Sequence, residues 1–128
     1  MNIDQRLKNV PRTKSFVELL QNEYNSYSDM LEQMECVSSE TSEKIKKILN
    51  SIYDNIQTEL TEYKTIIAAV KHLTDLKQML IHFHYFDRKS LKEISEMMNY
   101  NYEYLRKVKK AALNDLENIL LKDDGNGL

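Results

Sequence analysis

Residues 90–107 read SLKEISEMMNYNYEYLRK, and the fold turns on how this stretch is punctuated. Ser90 followed three positions later by Glu93 is a capping box, in which hydroxyl and carboxylate can each satisfy an orphan amide at a helix start. Leu91, Ile94 and Met98 then share the inner face of a helix barely two turns long. The chain must turn sharply at Asn99, and asparagine is the commonest substitute for glycine in the left-handed conformation. Asn101 caps a final helix whose buried stripe is Leu105, Val108, Ala112, Leu116 and Ile119. Upstream, Thr74 or Asp75 can cap a helix carrying Leu76, Met79, Leu80 and Phe83, which runs out around residues 85–88. A supporting helix, a short capped helix, a three-residue turn and a helix with basic residues in its first two turns describe a helix-turn-helix.

The N-terminal part has a different character. Ser15 and Glu18 form another capping-box pattern, so a helix is expected to start there and to end near Cys36. Val17, Leu20, Tyr24, Tyr27, Leu31 and Met34 repeat at spacings of 3 and 4, a seam of heptad type. Val37 to Ser42 is rich in residues that compete for backbone hydrogen bonds and reads as a linker. From about Ser42, a second seam follows through Ile45, Leu49, Ile52, Ile56, Tyr63, Ile66 and Val70, interrupted by Glu59 with Leu60 beside it. The seams fit an antiparallel hairpin or a homodimeric coiled coil, and a homodimer is the expected assembly. The tyrosines Tyr24, Tyr27, Tyr53 and Tyr63 read as interior packing.

Composition agrees with an all-α chain. Of 128 residues, two are glycine and one is proline, and Pro11, Gly125 and Gly127 leave residues 12–124 without a helix breaker. Hairpin-rich folds, phosphate-cradling loops and dinucleotide fingerprints all need glycine that is missing here. The expected architecture is therefore an N-terminal long helical hairpin or coiled coil over residues 1–70, a helix-turn-helix head over 71–121 and a disordered tail over 122–128. No apolar run approaches a membrane span, and residues 1–10 lack the apolar stretch of a signal peptide, so a cytoplasmic location and no membrane partner are expected.

Catalysis and metal binding find no support in the pattern. His82 and His84 lie two apart and point about 200° away from one another on a helix, unlike the i, i+4 pair of a zinc site. The lone Cys36 falls in a different region from every histidine, so no nucleophile–base pair forms. No enzyme, no metal and no cofactor is expected.

The net charge of −2 argues against a polycation, yet Arg106, Lys107, Lys109 and Lys110 crowd into five positions near the start of the last helix. In a helix-turn-helix, the N-terminal residues of the second helix face base edges while amides and basic side chains hold phosphates. The candidate DNA-binding residues are therefore Lys89, Ser90, Asn101, Tyr102, Glu103, Tyr104, Arg106, Lys107, Lys109 and Lys110. Glu103 can accept from a cytosine amino group and Lys107 can donate to guanine. Four phosphate-neutralising cations imply a log–log salt slope of about −3.6, shallow for a monomer.

The stretch Leu73 to Leu116 resembles region four of bacterial sigma factors, which reads the upstream promoter element. The shared features are the Leu73-Thr74 opening, the Tyr85-Phe86 step, Ser90-Leu-x-Glu-Ile-Ser95, the Met97-Met98 pivot, and Leu105-Arg106-x-Val108 with Ala112 and Leu116 beyond. This covers about a third of the chain. The whole chain is also similar to short prophage proteins of Gram-positive bacteria that join a helical N-terminal region to such a head, most closely at Tyr85-Phe-Asp87 and Met98-Asn-Tyr-Asn101. The resemblance implies a phage-type transcriptional regulator binding double-stranded DNA, with base contacts from Tyr102, Glu103 and Lys107, a phosphate contact from Arg106, and RNA polymerase as a second partner for the head. Asn99 stands where the family's turn has glycine. Tyr102 departs from the arginine common at its position, so the sequence preference of sigma factors does not carry over. No region two is recognisable, which argues against a complete sigma factor. Two rival readings use the same residues: a module that occupies RNA polymerase or a host regulator without reading DNA, and a ring-forming packaging adaptor of small-terminase type.

Overall fold

The computed structural model describes residues 2–33 and 38–126. It is all-α, with no strand among the described residues. Among the described residues, five α-helices follow in order: α1 (Ile3–Gln33), α2 (Ser39–Lys71), α3 (Asp75–Ile81), α4 (Leu91–Met98) and α5 (Tyr102–Asn126). A single π-helical turn, His82–Phe86, continues α3. Met34, Cys36 and the Val37 end of the expected linker lie outside the described residues, as do Gly127 and Leu128.

The chain forms two compact units, residues 12–63 and residues 1–11 together with 64–128. The first is a helical hairpin within one chain. Leu20, Ile52 and Ile56 are buried together, with Val17, Tyr24, Tyr27 and Leu60 packed around them. Leu60 takes the seam position beside the half-buried Glu59, which keeps the carboxylate out of the core. Tyr24 and Tyr27 pack inside as expected, but Tyr53 and Tyr63 are exposed. Seam spacing alone assigned all four to the interior. Tyr53 follows the buried Ile52 by one residue, about 100° round the helix, which turns it off the stripe.

The second unit holds two cores. Leu80, Ile94, Leu105 and Val108 form one, ringed by Leu76, Phe83, Leu91 and Met98. These residues come from α3, the π turn, α4 and the start of α5, so this is the interior of the helix-turn-helix. The second core is built from Ile3, Leu7 and Val10, from Ile66, Ala69, Val70 and Leu73, and from Ile81, Tyr85, Ala112, Leu116 and Leu120. The stripe read along the last helix thus divides between two cores.

Three expectations are corrected here. The first helix begins at Ile3 rather than Ser15, so the Ser15/Glu18 pattern sits in its interior and Pro11 lies inside the helix. Asn2 starts the helix, its side chain accepting from the Gln5 N–H at 2.9 Å while its carbonyl accepts from the Arg6 N–H at 3.0 Å. Burial of Ile3, Leu7 and Val10 supplies the stabilisation that overrides a proline in the first three turns. Pro11 has no N–H to give the Leu7 carbonyl, and the division between the units falls just after it. The second correction is that the expected boundary at 70/71 does not match these units, because the end of α2 and the first turns of α1 belong with the head. The third is that α5 continues through residues 122–126, where a disordered tail was expected; Gly125 is accommodated in its last turn.

Leu7 is 0 % exposed, and its replacement tests whether residues 1–11 are part of the head. Leu7→Ala should lower the stability of the unit containing the helix-turn-helix by about 2–5 kcal/mol in urea denaturation. A truncated chain starting at residue 64 should lose cooperative melting.

Candidate nucleic-acid interface

The helix-turn-helix is held by side chains whose local role follows from their type. At the start of α4, the Ser90 Oγ accepts from the Glu93 N–H at 3.1 Å and donates to the Glu93 carboxylate at 3.2 Å. At its end, Asn99 adopts φ 59 and ψ 37, the left-handed region. The Tyr100 N–H then reaches back to the Ser95 carbonyl at 3.2 Å, the six-to-one bond of a Schellman-type helix end. Asn101 opens α5 by accepting from the Glu103 and Tyr104 N–H groups at 2.8 and 3.3 Å. The Lys77–Asp115 ion pair ties α3 to α5.

The earlier turn, before α4, has features the sequence reading missed. Arg88 also has a positive φ of 58, and the Lys89 N–H bonds to the Phe83 carbonyl at 2.9 Å. The His84 Nδ1 lies 2.8 Å from the Lys89 carbonyl. A carbonyl only accepts, so Nδ1 carries the hydrogen and anchors the neutral ring, and Nε2 is the unprotonated nitrogen. Burial pulls the His84 pKa below 6.5, partly offset by that hydrogen bond. His82 is exposed.

The expected interface residues divide into three groups. Asn101, Tyr102, Glu103, Tyr104, Arg106, Lys107 and Lys110 are all exposed at the N-terminal end of α5. Arg106 is paired with Glu103, its guanidinium 3.3 Å from the carboxylate across one helical turn. Lys89 is half-buried and Ser90 is occupied as a cap, so both shape the turn. Lys109 faces the fold: its ammonium lies 5.6 Å from the centroid of the Tyr85 ring. Tyr85 donates its hydroxyl hydrogen to the Asp4 carboxylate at 2.6 Å, and Lys8 pairs with the same group at 2.8 Å. The Lys8 and Tyr85 hydrogen bonds hold the Asp4 pKa below its ordinary value, while burial and Asp4 raise that of Tyr85. Asp4 was legible as the first acid after an Asn2-x-x-Gln5 cap pattern followed by Ile3, Leu7 and Val10 at helical spacing, a signal identical in kind to the one used for Ser90.

Sequence reading also passed over Met97 and Tyr100, which are exposed beside Tyr102 and Tyr104. The Tyr100 and Tyr104 rings sit 5.9 Å apart, tilted by 34°. Charge is divided between the two units. The unit holding the helix-turn-helix has 13 basic and 10 acidic residues, net +3, and the hairpin has 5 basic and 10 acidic, net −5. Among the described residues no cluster of His, Cys, Asp and Glu is arranged to hold a metal, and no helix is long and apolar enough to cross a membrane.

Comparisons with protein-family models, with curated proteins and with solved structures find no match to this chain.

Two outcomes test this geometry. Asn99→Gly should leave stability within about 0.5 kcal/mol, whereas Asn99→Val should cost about 1–2 kcal/mol because a β-branched residue resists positive φ. Thermal melts in the reverse order would mean that the turn is elsewhere. For His84, the unfolded chain takes up a proton as pH falls past 6.5 before the folded one does, so its contribution to stability is complete above 6.5 and declines below it. His84→Asn should flatten the pH dependence of the urea midpoint below pH 6.5.

Proposed function

We propose that this chain is a non-enzymatic, cytoplasmic, phage-type transcriptional regulator that reads double-stranded DNA by placing the N-terminal end of α5 in the major groove. The observation that carries this is the face of α5 opposite the helix-turn-helix core. Leu105 and Val108 bury one side, and Glu103, Arg106, Lys107 and Lys110 occupy the other, just after a turn of the length and conformation that such motifs use. The net charge of +3 on that unit favours a polyanion, and the resemblance of Leu73 to Leu116 to sigma region four points the same way. Lys107 suits guanine, Glu103 suits the cytosine amino group once Arg106 swings to a phosphate, and Lys110 extends the phosphate contacts. One head with so few cations binds weakly, so a homodimer or attachment to RNA polymerase supplies the remaining affinity.

A second reading has one observation in its favour. Met97, Tyr100, Tyr102 and Tyr104 are large, apolar and exposed around one turn, the residue types that anchor protein interfaces. On that reading the head occupies RNA polymerase or a host regulator and leaves DNA alone.

Selection from random duplex DNA at low salt should enrich a defined site. With Lys109 engaged at Tyr85 and Lys107 at guanine, the two cations left for phosphates, Arg106 and Lys110, predict a log–log salt slope of about −1.8 per head; Lys110→Ala should remove about 0.9 of it, and Lys107→Ala should relax specificity at the guanine. Failure to enrich any sequence, or full DNA-independent activity of the Arg106→Ala, Lys107→Ala double variant in a reporter assay, would favour the protein-binding reading.

A further inference from the structure

The polar face of α5 is bordered by aromatic rings on both sides. Successive residues on a helix are about 100° apart, so Tyr102 and Tyr104 are separated by about 200°, with Glu103 between them and Arg106, Lys107 and Lys110 continuing the stripe below. Tyr102 is 45 % exposed and Tyr104 47 %. Tyr100, outside the helix, places its ring against that of Tyr104. Neither Tyr102 nor Tyr104 belongs to the buried clusters of the head. Their exposure leaves apolar ring surface in water outside the core packing of the head, at the first turn of α5.

Resting on the DNA-binding reading above, we infer that Tyr102 and Tyr104 make the head sensitive to pyrimidine C5-methyl groups, so that its site carries thymine beside the base pairs read by Glu103 and Lys107. The thymine methyl is the apolar feature of the major groove, and apolar side-chain surface is what recognises it. A tyrosine ring has a wide apolar face for the methyl and a hydroxyl that can remain in water or meet a phosphate. Rings on either flank of a polar stripe match a site in which thymines border a G·C pair. Pairing with Tyr100 restricts the Tyr104 ring before DNA arrives, which lowers the entropy lost on contact.

The test uses the full-length chain and a duplex selected from a random pool. Each thymine of the enriched site is replaced in turn by deoxyuridine, which removes only the methyl group. Wild type should bind about fourfold less tightly at one or two positions, the factor that corresponds to burying one methyl-sized group. Tyr102→Ser and Tyr104→Ser should each lose that sensitivity at one position, and Tyr102→Phe and Tyr104→Phe should keep it. Far-ultraviolet circular dichroism matching wild type shows that the exposed substitutions leave the fold intact. A site that binds equally well with uracil, or tyrosine variants that retain the uracil effect, overturns this inference while leaving DNA binding standing. Enrichment of no site overturns the DNA-binding reading and this inference with it.

Discussion

Leu105, Ala112 and Leu116 lie along one stripe of α5 and are fully removed from water, and they serve two cores in succession. Leu105, with Val108, closes the helix-turn-helix interior, and Ala112 and Leu116, with Leu120, close the core shared with the ends of α1 and α2. A helix pinned along one stripe has its opposite face fixed in direction, because each residue advances by about 100°. Glu103, Arg106, Lys107 and Lys110 therefore face water as a consequence of what Leu105 and Val108 bury. Burying a leucine side chain contributes about 1.5–3 kcal/mol, whereas an exposed pair such as Glu103–Arg106 contributes little. Packing orients the candidate interface, and its surface charges follow.

Residues 3–10 brace the same helix along that stripe. Ile3, Leu7 and Val10 pack into the core that Ala112 and Leu116 close, and Asp4 accepts from the Tyr85 hydroxyl. Tyr85 in turn lies beneath the Lys109 ammonium. This chain of contacts runs from the first turn of α1, through the π-helical turn, to the middle of the stripe on α5. It turns one of four clustered cations toward the protein, which makes the outward face of α5 less basic than a count of lysines and arginines implies.

Formal charge is also distributed by unit. A net −2 over the whole chain conceals +3 on the unit with the helix-turn-helix and −5 on the hairpin. On the proposed function, the field of a DNA duplex attracts the first and repels the second. This effect weakens over a Debye length of about 8 Å at physiological salt, where groove contacts take over.

Much of the head was legible in the sequence because its signals are local. A capping serine with its glutamate, an asparagine at a left-handed turn and a stripe at helical spacing each involve residues within two turns of one another, and Ser90, Asn99, Asn101 and Leu105 adopt the roles that their types prescribe. Cap patterns, however, state where a helix can start and not where it does. Ser15/Glu18 and Asn2/Gln5 are equivalent as local patterns, and only the burial of Ile3, Leu7 and Val10 against residues more than fifty positions away selects the second. The same holds for Lys109, whose neighbours on the chain include cations but whose ammonium lies over the Tyr85 ring, and for Tyr63, which continues the seam of α2 and is nevertheless exposed. Sequence alone determined that the chain is helical and where the head turns, since backbone preferences act over a few residues. The tertiary structure decided which faces are buried and which cations point outward, because burial is set by contacts distant along the chain.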